Sequence, residues 1–190
     1  MAEERDTKAR DEAAQYYDHW GPTSFARAEI NLPMIWNFLE CAEDPNPIYW
    51  DEDFAKQSRF GRLICPPQMI MTMSGGHWWA PDYVTEKAKH AIEAQGDNPV
   101  AAAGEIVTKY GYTTSTNVTR EDEFLEPIGP GDGRLSSRSK VIDVSEEKQT
   151  RPGKGVFITS ILEYSVEAHD RPVVRSRNIL LMYNSSTPRA

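Results

Sequence analysis

The spacing of hydrophobic positions changes near the middle of the chain. In the first third, apolar residues recur every three or four positions, which predicts helices over Asp6–Trp20, after Pro33 and over Asp51–Gln57. Between the first two helices lies Ser24–Asn31, where apolar and polar residues alternate, so this segment is predicted to form a short strand. From Gly104 onward, β-branched and aromatic residues dominate, which is typical of long strands.

Turn signals divide the C-terminal half into segments of strand length. The sequences EPIGPGDG, TRPGKG and HDRP separate runs that are rich in valine, isoleucine, threonine and tyrosine. Long strands joined by short turns predict an antiparallel meander, whose first strand is expected to start near Ile106. Helices followed by such a sheet place the chain in the α+β class.

A helix is also predicted in the stretch QMIMTMSGGHWWA, which follows Pro66 and Pro67. Proline is favoured in a first helical turn, and a segment that is apolar nearly all round indicates a buried helix. A second helix, polar and at the surface, is predicted over Thr85–Gln95. We therefore expect the sheet to curl around the apolar helix and to leave open edges that invite a partner.

Composition limits the classes of partner. The chain has 190 residues and a formal net charge of -8, which argues against nucleic acid as the main partner because phosphate binding needs a basic face. No apolar run reaches the ~18 residues of a membrane span, and the charged N-terminus does not resemble a signal peptide, so a cytoplasmic location is expected. No grouping of His, Cys, Asp and Glu has metal-ligand spacing, so no metal or other cofactor is expected.

One domain with two extensions fits this length. We expect an N-terminal helical extension over residues 1–22, a single domain over 23–184 and a short tail over 185–190. The extension is acidic, and we expect it to lie as a solvated flap over the sheet.

The segment EDPNPIYWDEDFAKQSRFGRLICPPQMI, residues 43–70, resembles the MaoC-like hydratase and dehydratase family. The later strand-rich segments look like the FAS1-type dehydratase branch of that family. The resemblance implies a hot-dog fold, in which a long antiparallel sheet wraps around a central helix. It also implies an acyl-CoA thioester as substrate and the reversible addition of water to a trans-2-enoyl group, the reaction of an (R)-type enoyl-CoA hydratase.

Two positions depart from the family pattern. Asp44 stands at the family aspartate, and Asn46 with Pro47 matches the Asn-Pro pair, but the histidine position is Tyr49. A tyrosine hydroxyl, with a pKa of about 10, is a poor base near neutrality. The family glycine whose N–H polarises the thioester carbonyl corresponds, counted without gaps, to Pro67, and proline has no N–H.

The resemblance with these departures implies a non-catalytic half that shapes the pocket for a bulky or long acyl-CoA, a sterol side chain being one candidate. The expected partner is a second hot-dog chain with an intact Asp/His motif. Asp44 and Tyr49 mark the degenerate catalytic position. The substrate-binding positions that the resemblance implies are Asn46, Phe60, Gly61, Pro66, Pro67, His77 and Trp78.

Other readings stay open at this point. Asp44 and Asn46 suit a turn, Tyr49 suits packing at an interface, and His77 beside two tryptophans suits a packed residue. The chain can also be an acyl-CoA-binding or scaffold module without hydratase activity. A third alternative is a self-sufficient homodimeric hydratase whose acid and base have moved to His77 or Glu43.

Overall fold

A computed structural model describes residues 6–74, 81–86 and 97–187. Its strands form one antiparallel sheet in the order β1-β3-β5-β6-β2, with the short β4 pairing with β5. The strands are β1 Ser24–Glu29, β2 Thr114–Phe124, β3 Arg134–Val144, β4 Lys148–Gln149, β5 Lys154–Val166 and β6 Val174–Asn184.

The helices precede β2 in the chain, as the sequence predicts, and three of them begin at side-chain caps. Asn31 caps the second helix, Asp51 the third and Asn98 the fifth, because each side-chain oxygen accepts from backbone N–H groups of the first turn. The helices are α1 Lys8–Ala13, α2 Leu32–Ala42, α3 Glu52–Gln57, α4 Ile70–Ser74 and α5 Pro99–Lys109, with 3-10 turns at Ala14–Tyr16, Pro47–Tyr49 and Pro67–Met69.

The hydrophobic core lies on one face of the sheet. Alternate residues of β5 point to this face: Val156 and Ile158 pack with α1 and α5, and Tyr164 and Val166 pack with α2 and α4. Both core clusters therefore share one side of the sheet. The predicted α+β architecture, with the sheet wrapped around helical segments, is confirmed.

The other face of the sheet carries charged side chains that pair with one another at the end near Glu163. Glu163 accepts from Arg138 at 2.9 Å and from Arg175 at 3.0 Å, so one buried carboxylate joins β3, β5 and β6. On the neighbouring row, Arg177 lies 3.8 Å from Glu121. The charges at this end of the face are therefore paired within the sheet, while Phe157 and Leu181 add apolar side chains to the same face.

Two predictions about this region are wrong. The stretch after Gly104 does not open with a strand at Ile106, because Asn98 caps and Pro99 starts α5, and the strand begins only at Thr114. The strands also do not form a simple meander. β2 pairs with β6 at the far edge of the sheet, since the chain after Phe124 crosses the end of the sheet instead of making a tight hairpin.

The helix after Pro66 is only partly as predicted. Met69, Ile70 and Met73 are buried in the core, but Met71 is 57% exposed, so within the described residues one side of this helix faces outward. The predicted helix Thr85–Gln95 falls almost wholly outside the described residues, although residues 82–86 are helical.

The N-terminal helix α1 packs on α5 rather than standing free. Ala9 and Ala13 are buried, and Glu12 accepts from Lys109 and Tyr110. The domain boundaries at 22 and 184 stay predictions. Within the described ranges, none of the helices combines the length and apolarity needed to cross a bilayer.

Candidate functional site

Asp44 and Asn46 build a turn. The Asp44 Oδ1 atom accepts from the Asn46 backbone N–H at 3.0 Å, and the Asn46 Oδ1 atom accepts from the Ile48 N–H at 3.2 Å. The Trp50 Nε1–H donates to the Asp44 carbonyl at 2.8 Å and closes the loop. Both side chains therefore stabilise a turn, which is one of the two roles that the sequence leaves open for them.

Tyr49 ends the 3-10 turn and is buried in the chain's own core, with 8% of its surface exposed. Burial, followed by the charges of Asp44 and Cys65, raises the pKa of its hydroxyl above the usual range. The group is therefore protonated at neutral pH and can donate a hydrogen bond but cannot act as a base.

The start of the helix after Cys65 offers few backbone donors. Pro66 is buried and Pro67 is exposed, and neither has an N–H. The Cys65 N–H is already bound to the Ile128 carbonyl at 2.6 Å, and the Met69 N–H to the Pro66 carbonyl at 3.0 Å. Pro66, Pro67, Cys65 and Met69 therefore offer no free backbone N–H to a carbonyl oxygen at this turn.

A largely apolar cavity of about 350 Å³ lies beside these prolines. This volume is within the range of roughly 300–1,000 Å³ found for small-molecule sites. Burial raises the pKa of the Cys65 thiol in its wall to about 12, so this thiol is neutral and unreactive. Further walls come from the helix and from the end of β2, namely Phe60, Pro66, Pro67, Met73 and Phe124.

The second wall of the cavity is the segment that follows β2. Leu125, Glu126, Pro127 and Ile128 line it, and the backbone N–H groups of Leu125 and Glu126 both donate to the Val173 carbonyl. Asp132 then ties this segment to the opposite wall, because it accepts from Arg62 and from the Gly129 N–H. The cavity is thus held between two connected loops.

A family model described as "FAS1-like, dehydratase domain region" matches residues 21–176, which is most of the chain. The chain belongs to this family. The fold that the sequence resemblance implies is therefore the fold of the FAS1-like dehydratase region.

Two curated relatives carry hydratase names. A "probable enoyl-CoA hydratase alpha subunit" from Thermomonospora curvata is 30% identical over 135 residues, 71% of this chain and 39% of the relative. The "3-oxo-4,17-pregnadiene-20-carboxyl-CoA hydratase alpha subunit" of Mycobacterium tuberculosis is 29% identical over 154 residues, 79% of this chain and 45% of the relative. The chain thus spans less than half the length of these two proteins.

Solved structures agree on the fold. The ChsH1-ChsH2 complex from Mycobacterium tuberculosis contains a chain with a TM-score of 0.75 and 24% identity, covering 95% of this chain and 92% of that one. The (R)-hydratase from A. caviae involved in PHA biosynthesis gives a TM-score of 0.50 at 14% identity, covering 85% of this chain and 95% of that one. At these identities the likeness concerns the hot-dog fold alone.

Within this FAS1-like dehydratase domain, the predicted site residues separate into groups. Phe60, Pro66 and Pro67 line the cavity, whereas Gly61 lines a smaller cavity of about 250 Å³ beside Leu63. Asp44, Asn46 and Tyr49 are not among the lining residues of the cavity, and His77 and Trp78 lie outside the described residues.

Sequence reasoning missed the wall after β2. The sequence signal for that wall is the apolar and proline-containing run FLEPI before the glycine-rich turn, whereas the turn signals alone predict only a connection there. Across the described ranges, no three His, Cys, Asp or Glu side chains group closely enough to hold a metal ion.

Proposed function

We propose that this chain is the substrate-accommodating half of an (R)-type enoyl-CoA hydratase, and that a second hot-dog domain supplies the catalytic residues. The observation that carries the proposal is an apolar cavity beside a helix start that presents Pro66 and Pro67. The cavity can receive an acyl group, but the lining that the described residues form contains no imidazole, and Pro66 and Pro67 offer no amide.

The missing groups are costly for catalysis. Hydration of an enoyl thioester needs a base to take a proton from water and a donor to meet the charge that develops on the thioester oxygen. Loss of general acid-base catalysis costs roughly 10²–10⁴ in rate. Loss of one oxyanion donor costs on the order of 10²–10³. Tyr49 stands where the family has the histidine base, and Pro67 stands where it has the glycine N–H donor. This chain therefore lacks both groups at these positions, and we expect the chain alone to have little or no turnover.

The partner is expected to bind along β2. This strand pairs with β6 on one side only and forms one edge of the sheet. Val118, Phe124 and Leu125 leave large apolar surfaces exposed along it or just after it, whereas the outer face of the sheet satisfies its own charges. A second antiparallel edge added here would bury apolar surface and complete the backbone hydrogen bonding.

The same edge is part of the cavity rim, since Phe124 and Leu125 line it. A partner that pairs with β2 would therefore sit next to the bound acyl group and could bring its own aspartate and histidine to it. The names of the relatives support this assembly: both curated relatives are called alpha subunits, and one solved relative is titled as a complex.

A bulky or long acyl group suits the cavity. Its walls are mostly aliphatic and aromatic, and Met73 supplies a flexible side chain that adapts to irregular shapes. The relative named for a steroid-derived acyl-CoA supports a polycyclic substrate as one candidate for this chain.

The direct test compares the chain alone with the chain co-expressed with hot-dog partners that have an intact Asp/His motif. Hydration of trans-2-enoyl-CoA is followed by loss of the enoyl-thioester absorbance. We expect turnover only in the complex, and we expect it to be abolished when the partner's histidine is replaced by alanine. Strong turnover by the purified single chain would contradict the division of labour.

A second candidate function is acyl-CoA binding without hydration. The same observation favours it, because a cavity without its own acid and base is compatible with a binding module. The two proposals differ in the co-expression experiment, where a binding module stays inactive with every partner.

A further inference from the structure

Two charged side chains, Arg59 and Glu126, stand among the mostly apolar residues that line the cavity. Glu126 is paired with Arg171, so its charge is balanced within the protein. Arg59 forms no ion pair with a carboxylate in the part of the chain that the structure describes. Within the described lining, the cavity therefore carries an unbalanced positive charge, which attracts an anionic group.

The guanidinium of Arg59 lies over the ring of Phe60, its neighbour in the cavity wall. Its Cζ atom is 4.7 Å from the centre of that ring. A cation–π contact draws on the charge of the guanidinium but provides no oxygen acceptor for its N–H groups. The contact therefore holds the guanidinium at the cavity and leaves hydrogen-bond donors for a ligand.

The backbone on both sides of Arg59 is fixed by Ser58. The Ser58 Oγ atom accepts from the Phe60 N–H at 3.1 Å and donates to the Ala55 carbonyl at 2.7 Å. The Gly61 N–H donates to the Ser58 carbonyl at 3.1 Å. Arg59 is exposed although it lines the cavity, so it lies where the cavity opens to solvent.

This distribution of charge suits a ligand with an apolar body and an anionic group outside it. The buried side chains of Ile64, Met73 and Val174 form walls that suit a hydrocarbon group. Arg59 at the opening suits a phosphate, because a guanidinium can bind two phosphate oxygens through parallel N–H bonds. An acyl-CoA has both parts.

We propose that Arg59 binds a phosphate group of the CoA moiety while the acyl group occupies the cavity. The inference rests on the proposed acyl-CoA half-site and names the residue that recognises the anionic part of the ligand there. No bond forms or breaks at Arg59, which positions the ligand rather than reacting with it.

The ion pair between Glu126 and Arg171 supports the same role. An unpaired carboxylate in the cavity lining would repel a phosphate bound at Arg59, and Arg171 removes that repulsion. The Arg171 side chain is 74% exposed and is not among the described lining residues, so replacing it changes the charge of the cavity without removing a wall. We expect Arg171→Gln to weaken the binding of decanoyl-CoA, but less than Arg59→Gln does.

The test uses three thioesters that carry the same acyl group and differ in their phosphates. The chain and its Arg59→Gln variant are titrated by calorimetry with decanoyl-CoA, with decanoyl-dephospho-CoA, which lacks the 3′-phosphate, and with S-decanoyl-pantetheine, which has no phosphate. We expect Arg59→Gln to bind decanoyl-CoA more weakly by a factor on the order of ten at low ionic strength and to bind the pantetheine thioester as the native chain does.

The dephospho derivative identifies the phosphate. If Arg59→Gln weakens its binding as much as that of decanoyl-CoA, Arg59 contacts the diphosphate. If its binding is unchanged, Arg59 contacts the 3′-phosphate. Added NaCl should reduce the affinity of the native chain for decanoyl-CoA more steeply than that of Arg59→Gln, because salt screens exposed charges. Equal salt dependence would overturn the proposal.

A matched control is Lys56→Gln, which removes a positive charge three positions away on α3. Lys56 is exposed, pairs with Glu52 and is not among the described residues that line the cavity. This variant should bind all three thioesters as the native chain does, and both variants should unfold at the native urea concentration. If Lys56→Gln weakened decanoyl-CoA binding as much as Arg59→Gln, the effect would be one of net charge, and the proposal would be wrong.

The remaining outcomes separate this inference from the proposed function. If Arg59→Gln changes the binding of decanoyl-CoA and of the pantetheine thioester by the same factor, or changes neither, the role of Arg59 is refuted and the acyl-CoA half-site stands. If the native chain binds none of the thioesters, the half-site and the role of Arg59 are refuted together.

Discussion

Arg62 and Asp132 join the two walls of the cavity through a pair of parallel hydrogen bonds, of 2.7 Å from Nη1 and 2.6 Å from Nη2. Asp132 is buried, and its second oxygen also accepts from the Gly129 N–H at 2.8 Å. The ion pair therefore connects the loop before α4 with the loop after β2. This bond links two segments 70 residues apart, and both segments continue into residues that line the cavity.

The first prediction concerns this bond. Asp132→Asn removes the charge that Arg62 pairs with, and we expect a loss of about 2–3 kcal/mol in the free energy of unfolding, below the ~3–5 kcal/mol of a fully buried pair because Arg62 is partly exposed. Urea denaturation at pH 7 measures it. The control, Glu52→Gln, breaks the exposed Lys56 pair and should cost less than about 0.5 kcal/mol. Equal losses in the two variants would contradict the connecting role.

The second prediction concerns pH. Burial opposes ionisation of Glu163, but hydrogen bonds from Arg138 and Arg175 outweigh it and hold the pKa of this carboxyl below its usual range. A carboxyl whose pKa is lower in the folded state stabilises the fold above its unfolded pKa, and this contribution is lost as the pH falls through the folded pKa. The stability difference between the native chain and Glu163→Gln should therefore be largest near pH 7 and should shrink below about pH 4.5.

Urea midpoints of both proteins across pH 3–7 give that difference directly. Glu167→Gln is a useful comparison, since Glu167 also pairs with an arginine but is exposed. A difference between the native chain and Glu163→Gln that stayed constant with pH would show that the carboxylate charge does not stabilise the sheet.

The third prediction concerns the helix that sequence reasoning missed. The Asn98 Oδ1 atom accepts from the Val100 N–H at 2.9 Å and from the Ala101 N–H at 3.3 Å. We expect Asn98→Ala to cost about 1 kcal/mol in the free energy of unfolding, and Asn98→Asp to restore most of it, because either oxygen can accept these bonds. If Asn98→Ala left the free energy of unfolding unchanged, packing on α1 alone would be enough to stabilise this helix.

That helix shows where local sequence signals stop being sufficient. Asn31 and Asp51 precede clear amphipathic runs, and their helices are predicted from the sequence as they occur. Asn98 precedes an equally good start, but the β-branched residues Ile106 and Val107 gave the segment a strand-like texture. Val107 is fully buried against α1 and the sheet, so tertiary packing overrides the local preference.

The residues of the candidate site also differ in how far local sequence predicts their positions. Phe60, Pro66 and Pro67 come from one continuous motif, and sequence reasoning placed them at the site. The wall from Leu125 to Ile128 comes from a distant loop whose position depends on Arg62 and Asp132. No local pattern encodes that pairing, because its partners are brought together only when the sheet forms.

The last prediction concerns the edge at which a partner is expected. Val118 on β2 is 50% exposed, and Phe25 on β1, at the opposite edge of the sheet, is 53% exposed. Val118→Lys places a charge on the proposed pairing edge and should weaken assembly with a catalytic hot-dog partner at least tenfold, because an edge lysine opposes strand addition. Phe25→Lys carries the same charge at a matched exposure and should leave assembly intact. Sedimentation of mixtures with a co-expressed partner measures the dissociation constants of both variants. Urea denaturation of each variant alone should give a free energy of unfolding within about 0.5 kcal/mol of the native value, the usual range for surface changes. If Phe25→Lys is the variant that dissociates the complex, the partner binds β1, the cavity rim at Phe124 stays open to solvent, and the shared site proposed here is wrong.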